Sequence, residues 1–291
     1  MLDKEGNAMR ENRKYEWPDG KTLRTGCKTL VMGILNVTPD SFSDGGRWNT
    51  ESKASAHLKE MIADGADLID VGAESTRPGS RALSADEETE RLFSFLPEIL
   101  KESTVPVSVD TYHWQTAEKA LSAGAHILND VWGFQYDAGE MAKVCAAAGV
   151  PVILMHNQKE EIYERDIMET LKTYFSKSIE IALAAGVSEK NIILDPGLGF
   201  GKNTKQNTEI VRRLAELTVL PFPMLLAPSR KRFIGEVLSG LPAEERDEGT
   251  GAVCLVGAAR GCEIVRVHNV KMIARMLRVG DCMLGNCGIG D

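Results

Sequence analysis

Eight short apolar runs restrict this chain more than any single motif. Each gives way to polar residues at its carboxyl end, and stretches with helical spacing separate them. The runs occupy residues 30–36, 67–72, 105–110, 126–130, 151–156, 191–195, 223–229 and 263–269. Short, continuous and mostly rich in Val, Ile and Leu, they read as strands buried on both faces, an arrangement that needs covering helices and a parallel sheet. Helical spacing appears at residues 50–65, 84–101, 113–123, 139–148, 167–185, 208–217, 250–261 and 270–277. Eight units favour a closed α/β barrel over an open doubly wound sheet. The first strand runs into Asn36-Val-Thr-Pro-Asp40, which is no nucleotide fingerprint. In such a barrel the working groups gather where the strands end.

The first strand shows how abruptly that handover happens. After Leu35 and Asn36 the chain enters Thr38-Pro39-Asp40-Ser41, and proline has no N–H to donate to a sheet ladder. A polar loop continues to Gly45-Gly46, and a second follows residue 72 as Ala73-Glu-Ser-Thr-Arg-Pro-Gly-Ser80. Ahead of the barrel, residues 1–29 divide into a polar start and a short hairpin about the Pro18-Asp19-Gly20 turn. Residues 30–279 form the barrel as a single domain, and residues 280–291 form a glycine-rich tail.

Charge and cysteine usage narrow the function classes. With 42 acidic against 34 basic residues the formal net charge is -8, which disfavours binding to nucleic acid or an anionic membrane. The six cysteines form no C-x-x-C pair and follow no secretory signal pattern, pointing to a reducing cytoplasm. No apolar run approaches the roughly 20 residues of a membrane helix. The chain reads as soluble, and its charge leaves room for a local cationic pocket.

At the expected barrel mouth stand Asn36, Asp110, Asn129, His156, Asp195, Ser229, Arg266 and His268. A carboxylate that accepts two parallel N–H bonds suits the edge of an amino-heterocycle, and an amide adds a mixed donor and acceptor. Asp110, Asn129 and Asp195 are such a set. Each alone reads as a helix cap or turn closure; three converging on one rim favour a flat, nitrogen-rich ring. Strand alternation sends Arg266 and His268 to one side, where both can grip an anion such as phosphate. Lys231 joins them, while Arg230 and Arg232 read as a solvated basic run. The stretch Asp195-Pro-Gly-Leu-Gly-Phe-Gly-Lys202 is glycine-rich but lacks P-loop spacing. It reads either as a tight turn or as backbone approaching a ligand with Phe200 as an apolar wall.

Gly33-Ile-Leu-Asn-Val-Thr-Pro-Asp-Ser-Phe-Ser-Asp-Gly-Gly46, Asp70-Val-Gly-Ala-Glu-Ser-Thr-Arg-Pro-Gly79, Asp195-Pro-Gly-Leu-Gly-Phe200, Ser229-Arg-Lys231 and Arg266-Val-His268 occur in that order. Together they resemble the dihydropteroate synthases of folate biosynthesis, a pterin-binding family. The resemblance implies a TIM (β/α)8 barrel that joins 4-aminobenzoate to 6-hydroxymethyl-7,8-dihydropterin diphosphate and releases diphosphate with Mg2+. By that pattern Asp110, Asn129, Asp195 and Lys231 hold the pterin. Asn36, Arg266 and His268 meet the diphosphate, with Asn36 on the magnesium. Thr76, Arg77, Pro78, Phe200 and Ser229 form the aminobenzoate site. Asp195, Lys231, Arg266 and His268 are then the catalytic set, and a homodimer through late helices is implied as well. Asn269 stands where many relatives have Asp, so a weaker helix cap is expected there. Two other readings are a pterin-binding methyltransferase domain and a non-catalytic barrel that partners a folate enzyme.

Overall fold

The computed structural model describes residues 12–38, 50–74 and 81–286. A two-stranded antiparallel hairpin of β1 (Lys14–Glu16) and β2 (Thr22–Arg24) comes first. Eight parallel strands follow: β3 (Leu30–Asn36), β4 (Leu68–Gly72), β5 (Val107–Asp110), β6 (Ile127–Asp130), β7 (Val152–Met155), β8 (Ile192–Asp195), β9 (Leu225–Leu226) and β10 (Ile264–Val267). They pair in the order β8-β7-β6-β5-β4-β3-β10-β9. The ring closes between β8 and β9 through a parallel bridge of Leu194 with Met224, where the Leu194 N–H donates to the Pro223 carbonyl at 2.9 Å. β9 is short because Pro223 and Pro228 flank it, and neither can donate to a neighbour.

Alternation along these strands builds two separate cores. Val31, Ile69, Val109, Leu128, Leu154, Leu194 and Val265 face outward and join buried helix residues such as Leu58, Leu171 and Ile273. Inward-facing Leu30, Leu68, Ile127, Ile153, Ile193, Leu225 and Ile264 form the second core. Tyr15 and Leu23 of the hairpin belong to that inner core, with Trp17 packed on it. The hairpin therefore plugs the amino-terminal floor of the barrel. Arg13 holds the plug by donating to the carbonyls of Glu189, Lys190 and Ile192 at 2.9–3.1 Å.

Helices α1 (Thr50–Ala63), α2 (Ala85–Phe93), α3 (Leu96–Glu102), α4 (Trp114–Ser122), α5 (Glu140–Ala148), α6 (Ile167–Ala185), α7 (Thr204–Arg212), α8 (Arg232–Val237), α9 (Asp247–Ala259) and α10 (Val270–Met283) surround the strands. Several depart from the spacing alone. The single helix expected over 84–101 is two, because Pro97 cannot continue a helix and opens α3 instead. A capping box between Asn203 and Gln206 starts α7 at Thr204, before the expected residue 208. α10 runs on through Met283, with Asp281 buried and accepting from the Thr29 N–H and hydroxyl at 2.7 and 2.9 Å. Asn269 does cap α10, accepting the Met272 N–H at 3.2 Å, so no cap is lost. None of the described helices is long and apolar enough to cross a membrane.

Candidate active site at the barrel mouth

One cavity of about 1090 Å³ opens at the carboxyl ends of the strands, and Asn36, Asp110, Asn129, Asp195, Arg266 and His268 all line it. Phe200, Ser229 and Lys231 line it too. Asp195 and Arg266 thus face the same space, as the expected site requires. Of the residues expected around it, Thr76, Arg77 and Pro78 lie outside the described residues, as does most of the first polar loop.

The polar wall is knitted together by a residue that the motif reading passed over. Asp70, fully buried in the middle of β4, accepts Arg266 Nε at 2.6 Å and Asn129 Nδ2 at 3.1 Å through the same oxygen. Arg266 Nη2 also donates to Asp110 Oδ2 at 2.8 Å. Two carboxylates therefore share one guanidinium. Burial pushes Asp110 upward more than Arg266 holds it down, and the nearby Asp70 charge adds to the rise. The other Asp70 oxygen and the Ser108 hydroxyl on the neighbouring strand are buried without a hydrogen-bond partner among the described residues. Asp70 had a legible signal: it is a charge inside an apolar strand, on the inward face with Leu68.

Asp195 ends β8, nearly fully buried, with Oδ1 accepting the Gly197 N–H at 2.7 Å. Burial raises its pKa, opposed by Lys231. The three basic residues after Ser229 diverge. Arg230 turns away into a two-bond pair with Asp247 at 2.7 and 2.8 Å, and exposed Arg232 meets Glu161. Lys231 turns inward among the mouth residues, with its ammonium bonded to the Leu198 carbonyl and 4.6 Å from the Phe200 ring centre. Burial lowers Lys231 to about 8, against the pull of Asp195. Ser229 Oγ lies 2.8 Å from His268 Nδ1 and accepts the His268 N–H at 3.1 Å, so the hydroxyl fixes the ring of its neighbour across β9 and β10.

His156, expected at the rim, is instead buried beneath it and bonded to Lys202. A second cluster stands beside the mouth. Glu88 Oε2 accepts the Thr111 hydroxyl at 2.6 Å and lies 3.0 Å from His113 Nδ1, and Glu74 accepts from Tyr112 and the Leu83 N–H. Ligand atoms of Glu74, Glu88 and His113 lie within 4.8 Å of one another, a geometry that could hold a metal ion. The Glu88 hydrogen bond raises the His113 pKa, against the effect of its burial.

The sequence matches the model of a family described as pterin binding enzyme over residues 32–268. It is 53% identical to dihydropteroate synthase of Bacillus subtilis across 90% of this chain and 91% of that one. Among solved structures, dihydropteroate synthase from Clostridium difficile in the presence of pteroic acid superposes with a TM-score of 0.86 at 46% identity, over 89% of this chain and 98% of the other. The Xanthomonas albilineans dihydropteroate synthase with 4-aminobenzoic acid has a TM-score of 0.86 at 37% identity, over 91% and 96% of the two chains. With the barrel, its polar mouth and these relatives in agreement, the chain belongs to the dihydropteroate synthases, transferases of folate biosynthesis.

Proposed function

We propose that this chain joins 4-aminobenzoate to 6-hydroxymethyl-7,8-dihydropterin diphosphate, giving 7,8-dihydropteroate and diphosphate, with the residues at the mouth in the following roles. Asp110, Asn129, Asp195 and Lys231 read the pterin, because carboxylates, an amide and an ammonium match its donor and acceptor edge. Asn36, Arg266 and His268 take the diphosphate. Arg266 keeps three N–H donors beyond the two spent on Asp70 and Asp110. Phe200 and Ser229, with Thr76, Arg77 and Pro78 from the second loop, receive the aminobenzoate.

Bond breaking can then run ahead of bond making. The carbon–oxygen bond to diphosphate breaks with its electron pair on oxygen, and the pterin ring spreads the positive charge left on carbon. Asp195, fixed by the Gly197 N–H, faces that charge with a carboxylate already in place. The neutral arylamine attacks without a protein base and needs mainly correct placement. After the nitrogen–carbon bond has formed, its proton passes to water or to the released diphosphate.

Magnesium is the metal that this chemistry implies, and Asn36 suits it. Its side chain makes no hydrogen bond among the described residues and opens on the cavity. Its amide oxygen is a hard ligand for an ion that otherwise keeps water and phosphate oxygens. Bound there, magnesium would neutralise charge growing on the departing diphosphate. The Glu74, Glu88 and His113 cluster suits magnesium less, since a ring nitrogen is a poor partner for it.

We also place the enzyme in the cytoplasm as a homodimer. Val279 and Met283 on α10, 62% and 80% exposed, and the partly exposed Leu255 and Val256 on α9, which packs against α10, offer apolar side chains that a second copy would cover.

The observation that carries the reading is the single cavity, with ring-reading groups on β5, β6 and β8 and anion-binding groups on β3 and β10. A coupled assay with both substrates and magnesium tests it: diphosphate release should require aminobenzoate and yield a pteroate product. No release under those conditions would end the assignment.

A further inference from the structure

Lys202 is among the largest fully buried side chains, yet the reaction as derived leaves it unused. A lysine after a glycine-rich loop would ordinarily be read as a phosphate ligand. Here its Nζ is spent inside the protein, 2.8 Å from each of the Gly197 carbonyl, the Phe200 carbonyl and His156 Nδ1. Three acceptors match the three donors of an ammonium. Burial, followed by the neighbouring Lys231, pushes Lys202 well below the ordinary lysine range, while burial holds His156 near 2. A neutral amine is equally satisfied there, giving its two hydrogens to the carbonyls and accepting from an Nδ1 proton.

The loop that Lys202 fastens is pressed against its surroundings. A Cβ on Gly197 would lie 2.0 Å from the His156 carbonyl oxygen, and one on Gly201 would lie 2.3 Å from that of Gln158. Glycine is needed for this close approach, which favours backbone packing over direct ligand contact as the reason for both residues. Outside the loop, the Tyr163 hydroxyl donates to the Gly201 carbonyl at 3.0 Å. Two groups at the mouth hang on the same loop: Phe200 itself, and the Leu198 carbonyl that receives Lys231.

We infer that Lys202, assisted by Tyr163, is a positioning residue that clamps the turn after β8 from beneath and thereby sets the Phe200 ring, which receives the aminobenzoate, and to a lesser degree the Lys231 ammonium, one of the four pterin readers. The inference rests on the roles given above to Phe200 and Lys231. Its physical part, the clamp, stands apart from them.

The test is Lys202→Met, which keeps the length of the side chain and removes its donors. Amide hydrogen exchange should accelerate at residues 197–201 while the strands keep their protection. Because misplacement of about 1 Å can cost 10²-fold, the KM for aminobenzoate should rise about tenfold and kcat should fall. Affinity for the pterin diphosphate should change by no more than about threefold, since three of its four readers sit on strands. Tyr163→Phe should show the same pattern at smaller size, and it decides the matter should Lys202→Met not fold. Unchanged exchange in the loop would overturn the clamp. Normal kcat and KM, or a rise in both KM values that merely tracks a lower melting temperature, would overturn the positioning role. If the unaltered enzyme released no diphosphate, the functional reading would fail instead, and the exchange experiment would still judge the clamp.

Discussion

The two ends of the barrel are made from similar residue types used in opposite ways. At the floor, Arg13 gives its donors to backbone carbonyls, and the Trp17 indole donates to the His126 carbonyl at 3.0 Å beside an apolar plug. At the mouth, Arg266 is shared by two carboxylates and Lys231 sits in a cavity at a cost to its own charge. The first inward residues of the strands, Leu30, Leu68, Ile127, Ile153, Ile193, Leu225 and Ile264, are apolar, with Ser108 of β5 the exception, whereas the next inward positions on four of them bring Asp70, Asn129, Asp195 and Arg266. The floor is assembled for stability. The mouth keeps buried charge facing a cavity, at a cost that the packing of the fold alone does not require.

Removing a mouth charge should therefore cost chemistry and spare the fold. Lys231→Ala should lower kcat by about 10²–10³, the loss typical of removing one preorganised electrostatic group. Its effect on stability should stay within ~1 kcal/mol, because a cation held in a cavity stabilises the fold little. A denaturation midpoint that fell in step with turnover would break the division between the two ends. pH sharpens the same point. Lys231 keeps its charge below about 8, so kcat/KM should fall as pH rises through that value, and Lys231→Arg should abolish that limb. Stability should move the other way: between about 8 and the ordinary 10.5 the unfolded chain binds a proton that the folded chain does not, so raising pH favours folding.

Floor substitutions should give the reverse pattern. Leu23, 5% exposed, contributes to the plug beneath the barrel interior. Leu23→Ala should cost about 2–5 kcal/mol in chemical denaturation, the usual loss for a buried leucine. The KM values and kcat of the molecules that remain folded should be unchanged. A rise in either KM without loss of stability would show that the plug shapes the mouth and that the two ends are not independent.

This asymmetry also explains what could be read in the sequence. Alternation between apolar runs and helical spacing is local, so the eight units and the strand-end positions of Asn36, Asp110 and Asp195 were legible. The break at Pro97 was written locally as well, but an amphipathic pattern running through it disguised two helices as one. Partnerships were not legible. Nothing near Arg266 in the chain reveals Asp70, 196 residues away, and nothing near Lys202 reveals His156 beneath it. The hairpin was visible as a hairpin; that it closes the floor depends on where eight strands place their first inward side chains.

The smallest expected effect lies at the turn of that hairpin. His126 Nε2 faces Asp19 Oδ2 at 2.9 Å while its Nδ1 accepts the Val107 N–H at 3.1 Å, a pairing that directs the Nε2 proton at Asp19. Partial desolvation works against the Asp19 charge, but Lys21 and His126 outweigh it and hold the carboxyl below its usual 3.8. A depressed carboxyl contributes stability above the unfolded value and loses it as pH falls through the folded one. Asp19→Asn should therefore melt below the unaltered protein at pH 7, and the gap should narrow as pH drops below about 4. Asp19 is largely exposed, so the gap should also shrink in high salt. A gap that held constant from pH 7 to pH 3 would mean that the asparagine fails through packing alone, and the floor would then owe nothing to charge.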